Sequence, residues 1–134
     1  NQWKAEGKVK LFEGIDGYGN GEQVRDFIYV KDVVKVNFFF WDHPELKGIY
    51  NCGTGHAHTF NTLAKGVLKY FGSGELEYVP FPEVLKGKYQ SFTEADSSKL
   101  LAAGYDGGFT DIEEAIAEYC ALLDKNDGYL INER

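Results

Sequence analysis

Three stretches of the chain carry residues able to meet an anion. In the first, KLFEGIDGYGNGEQVRDFIYVKD (residues 10–32), Gly14, Gly17, Gly19 and Gly21 are followed by Arg25 just ahead of an apolar run. A guanidinium matches a phosphate with two parallel hydrogen bonds. The glycines do not have the G-x-G-x-x-G spacing, and a strand rather than a helix is predicted to follow. That excludes a dinucleotide-binding turn. What remains is a mobile loop between two strands with Arg25 at its exit. The plain alternative is a solvated hairpin with Arg25 paired to Glu22 or Asp26, and spacing alone favours it.

The second stretch is YNCGTGHAHTF (residues 50–60). A strand, then Gly53-Thr54-Gly55, then a helix start can cradle an anion on backbone N–H groups. A tight strand-to-helix turn is the bland reading. Cys52, His56 and His58 form a C-x3-H-x-H pattern that matches no common zinc spacing, so no metal is assigned. The third stretch is LKGKYQ, where Lys86 and Lys88 stand beside Tyr89. Two ammonium groups and a hydroxyl can grip a phosphate, and a solvated loop explains them equally well. No nucleophile–base pair accompanies these stretches: G-x-S-x-G, the Walker loop and H-E-x-x-H are all absent.

The elements that must position these residues follow from periodicity. KVKLF (8–12) alternates as a strand, and FIYV (27–30) reads as a second. Asp32 is predicted to cap a helix VVKVNFFFW whose apolar residues cover most of its circumference, as in a buried helix. Pro44 ends it. Residues 49–52 read as a strand. Thr59 caps a helix whose Phe60, Leu63, Ala64, Val67, Leu68 and Phe71 share one face. Residues 75–79 alternate as a strand, and a proline-containing loop follows. Asp96 or Ser97 starts a short helix stopped by Gly104. Thr110 and Glu113 form a capping box for a last helix with Ile112, Ala115, Ile116, Tyr119, Leu122 and Leu123 inward. The tail, 125–134, reads as frayed. The expectation is one small α/β domain of short strands and about four helices.

Composition bounds the function. The chain has 134 residues, 43% hydrophobic and 26% charged, which is the profile of a globular domain with a core. A net charge of −7 argues against a nucleic-acid partner. No apolar run is long enough to cross a bilayer. Cys52 and Cys120 sit in apolar patterns and read as buried free thiols, which favours the cytoplasm. The chain opens without methionine and without the pattern of a secretory signal, so either a signal has been removed or this is a C-terminal piece of something longer, and the cysteine usage favours the second.

The order RDFIYVKDVV, GIYNCGTG before a helix, and ADSSKLLAAGY before a closing helix resembles the C-terminal, substrate-binding lobe of extended short-chain dehydrogenases/reductases acting on nucleotide sugars. KLFEG and YVPFPEVLKGKYQ resemble the branch that epimerises an ADP-heptose. The likeness runs from about Lys8 to Leu123. It implies an NADP-dependent epimerase that inverts C6 of ADP-glycero-manno-heptose for the lipopolysaccharide inner core, with NADP bound by a Rossmann domain outside this chain. It implies that Phe12, Glu13, Gly14 and Ile15 lie along the sugar nucleotide, that Arg25 holds the diphosphate, and that Tyr89 closes on the same ligand. It also implies a homo-oligomer as the full-length enzyme. Compared with the family pattern, residues 17–23 are an insertion. None of the nine tyrosines has lysine four residues on, so the family's Tyr-x-x-x-Lys proton-exchange pair is absent. The chain is therefore expected to be inactive alone. A stand-alone ADP-sugar-binding module, the lobe of a UDP- or GDP-sugar epimerase or dehydratase, and a purely structural surface are the competing readings.

Overall fold

A computed structural model describes residues 1–126. Along the chain it has α1 (Gln2–Glu6), β1 (Lys8–Phe12), β2 (Val24–Arg25), α2 (Val30–Asp42), β3 (His58–Thr59), α3 (Phe60–Phe71), β4 (Glu75–Val79), a single 3-10 turn (Glu83–Leu85), α4 (Ser98–Ala102) and α5 (Ile112–Lys125). This is a small mixed α/β fold. Among the described residues it has five α-helices rather than about four. The extra one is α1, five residues closed by Gly7 in the left-handed conformation. The predicted frayed tail lies outside the described residues from 127 onward.

β1 and β4 pair in parallel, Lys8 opposite Glu75 through Phe12 opposite Val79. α3 lies in the connection between them and packs against α5, β1 and β4. Thr59 starts α3 as expected: its hydroxyl accepts from the Thr62 N–H at 3.1 Å. Gly72, left-handed, ends the helix. β2 and β3 form a second, antiparallel pair, Val24 opposite Thr59 and Arg25 opposite His58.

Several expectations are corrected. The second strand is Val24–Arg25; residues 27–29 are irregular and Val30 already belongs to α2. Tyr29, not Asp32, is the N-cap of α2. Asp32 sits one turn in, fully buried, because it accepts from the Thr110 N–H at 2.7 Å and hydroxyl at 3.0 Å. That bond removes Thr110 from the predicted capping box, and Asp111 caps α5 instead by accepting from the Glu113 N–H at 2.8 Å. Residues 49–52 form no strand, since no other segment among the described residues offers them a backbone ladder.

The buried cluster is Val36, Leu100 and Tyr105, with Phe39, Phe40, Tyr50 and Phe109 packed on it. It holds α2 to α4 and to the segment before α5. Only the inward side of α2 is covered. Val30, Val34, Phe38 and Trp41 face outward, Phe38 being 63% and Trp41 82% exposed. The expected fully buried helix is thus half buried, because no described segment covers its outer face. Cys120 is buried and Cys52 is exposed, which corrects the reading of two buried thiols; both are free. No helix among the described residues is long and apolar enough to cross a membrane.

Candidate functional site

Arg25 is half-buried on β2, the strand that leaves the glycine-rich segment. Its guanidinium carbon stands 4.9 Å from the ring centre of Tyr89 and 5.7 Å from that of Phe60, and Nη1 donates to the Val24 carbonyl at 2.7 Å. Stacking on aromatic rings fixes the side chain without neutralising it. Neither carboxylate named for the solvated hairpin reaches it. Glu22 accepts from Asn61, and Asp26 accepts from Thr54, Gly55 and Ala95. Among the described residues no ion pair involves Arg25.

Tyr89 is ordered by an aromatic chain. Its ring meets Phe81 edge-on at 5.2 Å, and Phe81 meets Phe12 edge-on at 5.4 Å. Phe12, Gly21, Gln23, Phe60 and Tyr89 line one cleft of ≈ 150 Å³ together with Lys10 and Leu11. The structure therefore brings Arg25, Tyr89 and Phe12 into one neighbourhood from β1, β2 and the loop after β4. Glu13 and Gly14 are exposed, Ile15 is half-buried, and they continue from the end of β1. The Glu13 N–H still donates to Val79 at 2.9 Å, and its carbonyl accepts from the Gln23 side chain at 3.1 Å. Lys86 pairs with Glu83, which sets it apart from the imagined two-lysine grip, and Lys88 is exposed.

The segment 13–22, expected as a mobile loop, is laced by hydrogen bonds. Tyr18 donates to Ile15, Glu22 to Gly19 and Gly21 to Phe12, each at 3.0 Å through the backbone. The Gly14 N–H donates to the Asn20 side chain at 2.9 Å, and Ser91 donates to Asp16 at 2.9 Å. Sequence reading missed Asn61 and Gln23, both buried polar residues beside this loop. The signal was available for Asn61: it stands three and seven residues before Ala64 and Leu68, a polar residue on the helix's apolar face.

The Gly53-Thr54-Gly55 turn does cradle an anion, but the anion belongs to the chain. The Asp26 carboxylate accepts the Thr54 N–H and the Gly55 N–H, each at 2.9 Å, the Thr54 hydroxyl at 2.5 Å and the Ala95 N–H at 3.1 Å. Burial pushes the Asp26 carboxyl up, and these donors outweigh it and hold it below the usual value. No group of three or more His, Cys, Asp or Glu side chains among the described residues is gathered closely enough for a metal ion.

Residues 4–53 match the family described as the NAD dependent epimerase/dehydratase family. Over 118 residues the chain is 57% identical to ADP-L-glycero-D-manno-heptose-6-epimerase of Alkalilimnicola ehrlichii, covering 88% of this chain and 37% of that protein. It is 52% identical to the enzyme of the same name from Thiobacillus denitrificans, covering 92% and 42%. The chain thus spans about two fifths of the length of these curated relatives. Two solved structures have the same fold. ADP-L-glycero-D-manno-heptose-6-epimerase of Helicobacter pylori gives a TM-score of 0.70 at 26% identity, covering 92% of this chain and 35% of that one. UDP-glucose 4-epimerase of Bifidobacterium longum gives 0.73 at 26%, covering 90% and 36%. The chain resembles a part of heptose 6-epimerases in sequence and of sugar-nucleotide epimerases in fold.

Proposed function

We propose that this chain is the substrate-binding lobe, residues 1–134, of a nucleotide-sugar epimerase that inverts C6 of an ADP-heptose with NADP as hydride carrier, supplying the lipopolysaccharide inner core. The observation that carries this reading is Arg25: a guanidinium held against Tyr89 and Phe60, with no carboxylate partner among the described residues. A cation ordered in this way is ready to receive an anion without first breaking an ion pair. The reading assigns that anion as the diphosphate. Tyr89 closes over it, and Phe12, Glu13, Gly14 and Ile15 run along the rest of the ligand.

The described residues are a poor fit for the dinucleotide itself, because the Gly53-Thr54-Gly55 turn has its Thr54 and Gly55 N–H groups occupied by Asp26. The reading therefore assigns NADP to the part of the protein outside this chain, and no hydride step is derived from these residues. Two features support a companion part that packs against this one. The outer face of α2 is apolar and exposed. Residues 49–52, which read as a strand, have no backbone ladder among the described residues, and Ile49 is 88% exposed.

The test is turnover by the full-length protein with NADP. ADP-D-glycero-D-manno-heptose should be converted to its L-glycero epimer, followed by proton NMR of the C6 centre. Equal or better turnover of UDP- or GDP-sugars would overturn the substrate assignment. Tight ADP-sugar binding without any turnover would favour a binding module.

A further inference from the structure

The glycine-rich loop after β1 is fastened by one side chain of α3. Asn61 is 6% exposed and sits at the second position of that helix. Its backbone N–H donates to the Gly21 carbonyl at 3.0 Å. Its amide nitrogen donates to the Asn20 carbonyl at 2.9 Å and also to the Glu22 carboxylate. Its amide oxygen accepts from the Tyr78 hydroxyl of β4 at 2.9 Å. Both amide protons and the oxygen are thus used, which is what a buried carboxamide needs to be stable there. The backbone at Gly21, φ +65°, passes so close that a methyl group on it would overlap the Asn61 amide.

The contacts form a path. Tyr78 fixes Asn61, Asn61 fixes Asn20, and the Asn20 side chain accepts from the Gly14 N–H at 2.9 Å. We infer that Asn61 is a positioning residue for the sugar-nucleotide site: through Asn20 it sets where Phe12–Ile15 lie, and so tunes substrate affinity without touching the ligand. This rests on the functional reading above and adds a determinant to it. The residue type follows from the geometry. Aspartate would lose both donors and set a second carboxylate against Glu22. Alanine would leave the Tyr78 hydroxyl and the Asn20 carbonyl without this partner.

The experiment compares the full-length protein with its Asn61→Asp, Asn61→Ala and Tyr78→Phe variants. Two quantities are read: hydrogen exchange in residues 13–22, and KM for ADP-heptose separately from kcat. For Asn61→Asp, exchange in that segment should quicken about tenfold or more, with β1 unchanged. KM should rise about tenfold, the scale of one or two lost hydrogen bonds, with kcat within about twofold. Tyr78→Phe, which keeps the amide and removes only its anchor, should move both quantities the same way by less. It also keeps the test decisive if the Asn61 variants fail to fold. Unchanged exchange would show that Asn61 does not hold the loop. Quickened exchange with unchanged KM would show that the loop's shape does not set affinity. Either overturns the inference and leaves the functional reading standing. A wild-type protein that neither binds nor turns over the sugar nucleotide would bring down both.

Discussion

Asp26 and Asp32, six residues apart, do the same work at different places. Each accepts backbone and hydroxyl donors from a segment distant in sequence, Asp26 from Thr54, Gly55 and Ala95, and Asp32 from Thr110. Burial pushes the Asp32 carboxyl up, but Lys35 and Thr110 outweigh it, so both aspartates lie below their ordinary values. A group depressed in the fold stabilises it fully above its unfolded value, about 3.9, and that contribution fades as pH falls through the folded value. The thermal midpoint should therefore be insensitive to these groups from pH 7 to about 5 and fall below about pH 4. Asp32→Asn should be less stable at pH 7 and show a shallower acid limb; an acid limb as steep as wild type would remove Asp32 from this role. The partners of Asp26 also bear on Arg25, for which spacing alone favoured a solvated hairpin. Glu22 and Asp26 look like its neighbours along the chain, yet both are claimed by residues that only folding brings near.

The helices α3 and α5 show how close packing fixes an element. Gly66 lies on α3 where a Cβ would come 2.7 Å from Cδ1 and 3.1 Å from Cγ2 of Ile116 on α5. A larger residue gains helix propensity and loses more by overpacking. Gly66→Val should cost about 2 kcal/mol of stability by chemical unfolding, and combined with Ile116→Ala, itself destabilising, it should cost less than the sum of the two single losses, since the two sites touch. Additive losses would contradict the close fit. α3 itself was legible in the sequence, because its cap Thr59, its apolar face and its stop at Gly72 are all local signals. β1 and β4 were legible by alternation. The cap expected at Asp32 was not, because residue 32 is drawn inward by Thr110; nor was the strand expected at 27–30, because the ladder with β3 ends at Arg25. The strand expected at 49–52 does not form, because it lacks a ladder partner among the described residues.

At the scale of the whole molecule, the outer face of α2 dominates. Val30, Val34, Phe38 and Trp41 recur at helical spacing and stand exposed on a face that soluble surfaces seldom leave bare. Expressed alone, the chain should self-associate at micromolar concentration, and Phe38→Glu with Trp41→Glu should return it to a monomer by light scattering; a monomeric wild-type chain would show that this face needs no cover. The exposed face and the share of its relatives' length that the chain spans agree with one account, a substrate lobe that works against a companion part. That account turns on Arg25. The most direct measurement is calorimetric titration of the full-length protein with ADP, comparing wild type with Arg25→Ala. Losing a charge-assisted contact of about 1.5–3 kcal/mol should weaken binding by roughly 10- to 150-fold; equal affinity in the two proteins would contradict the assignment of this guanidinium to the diphosphate.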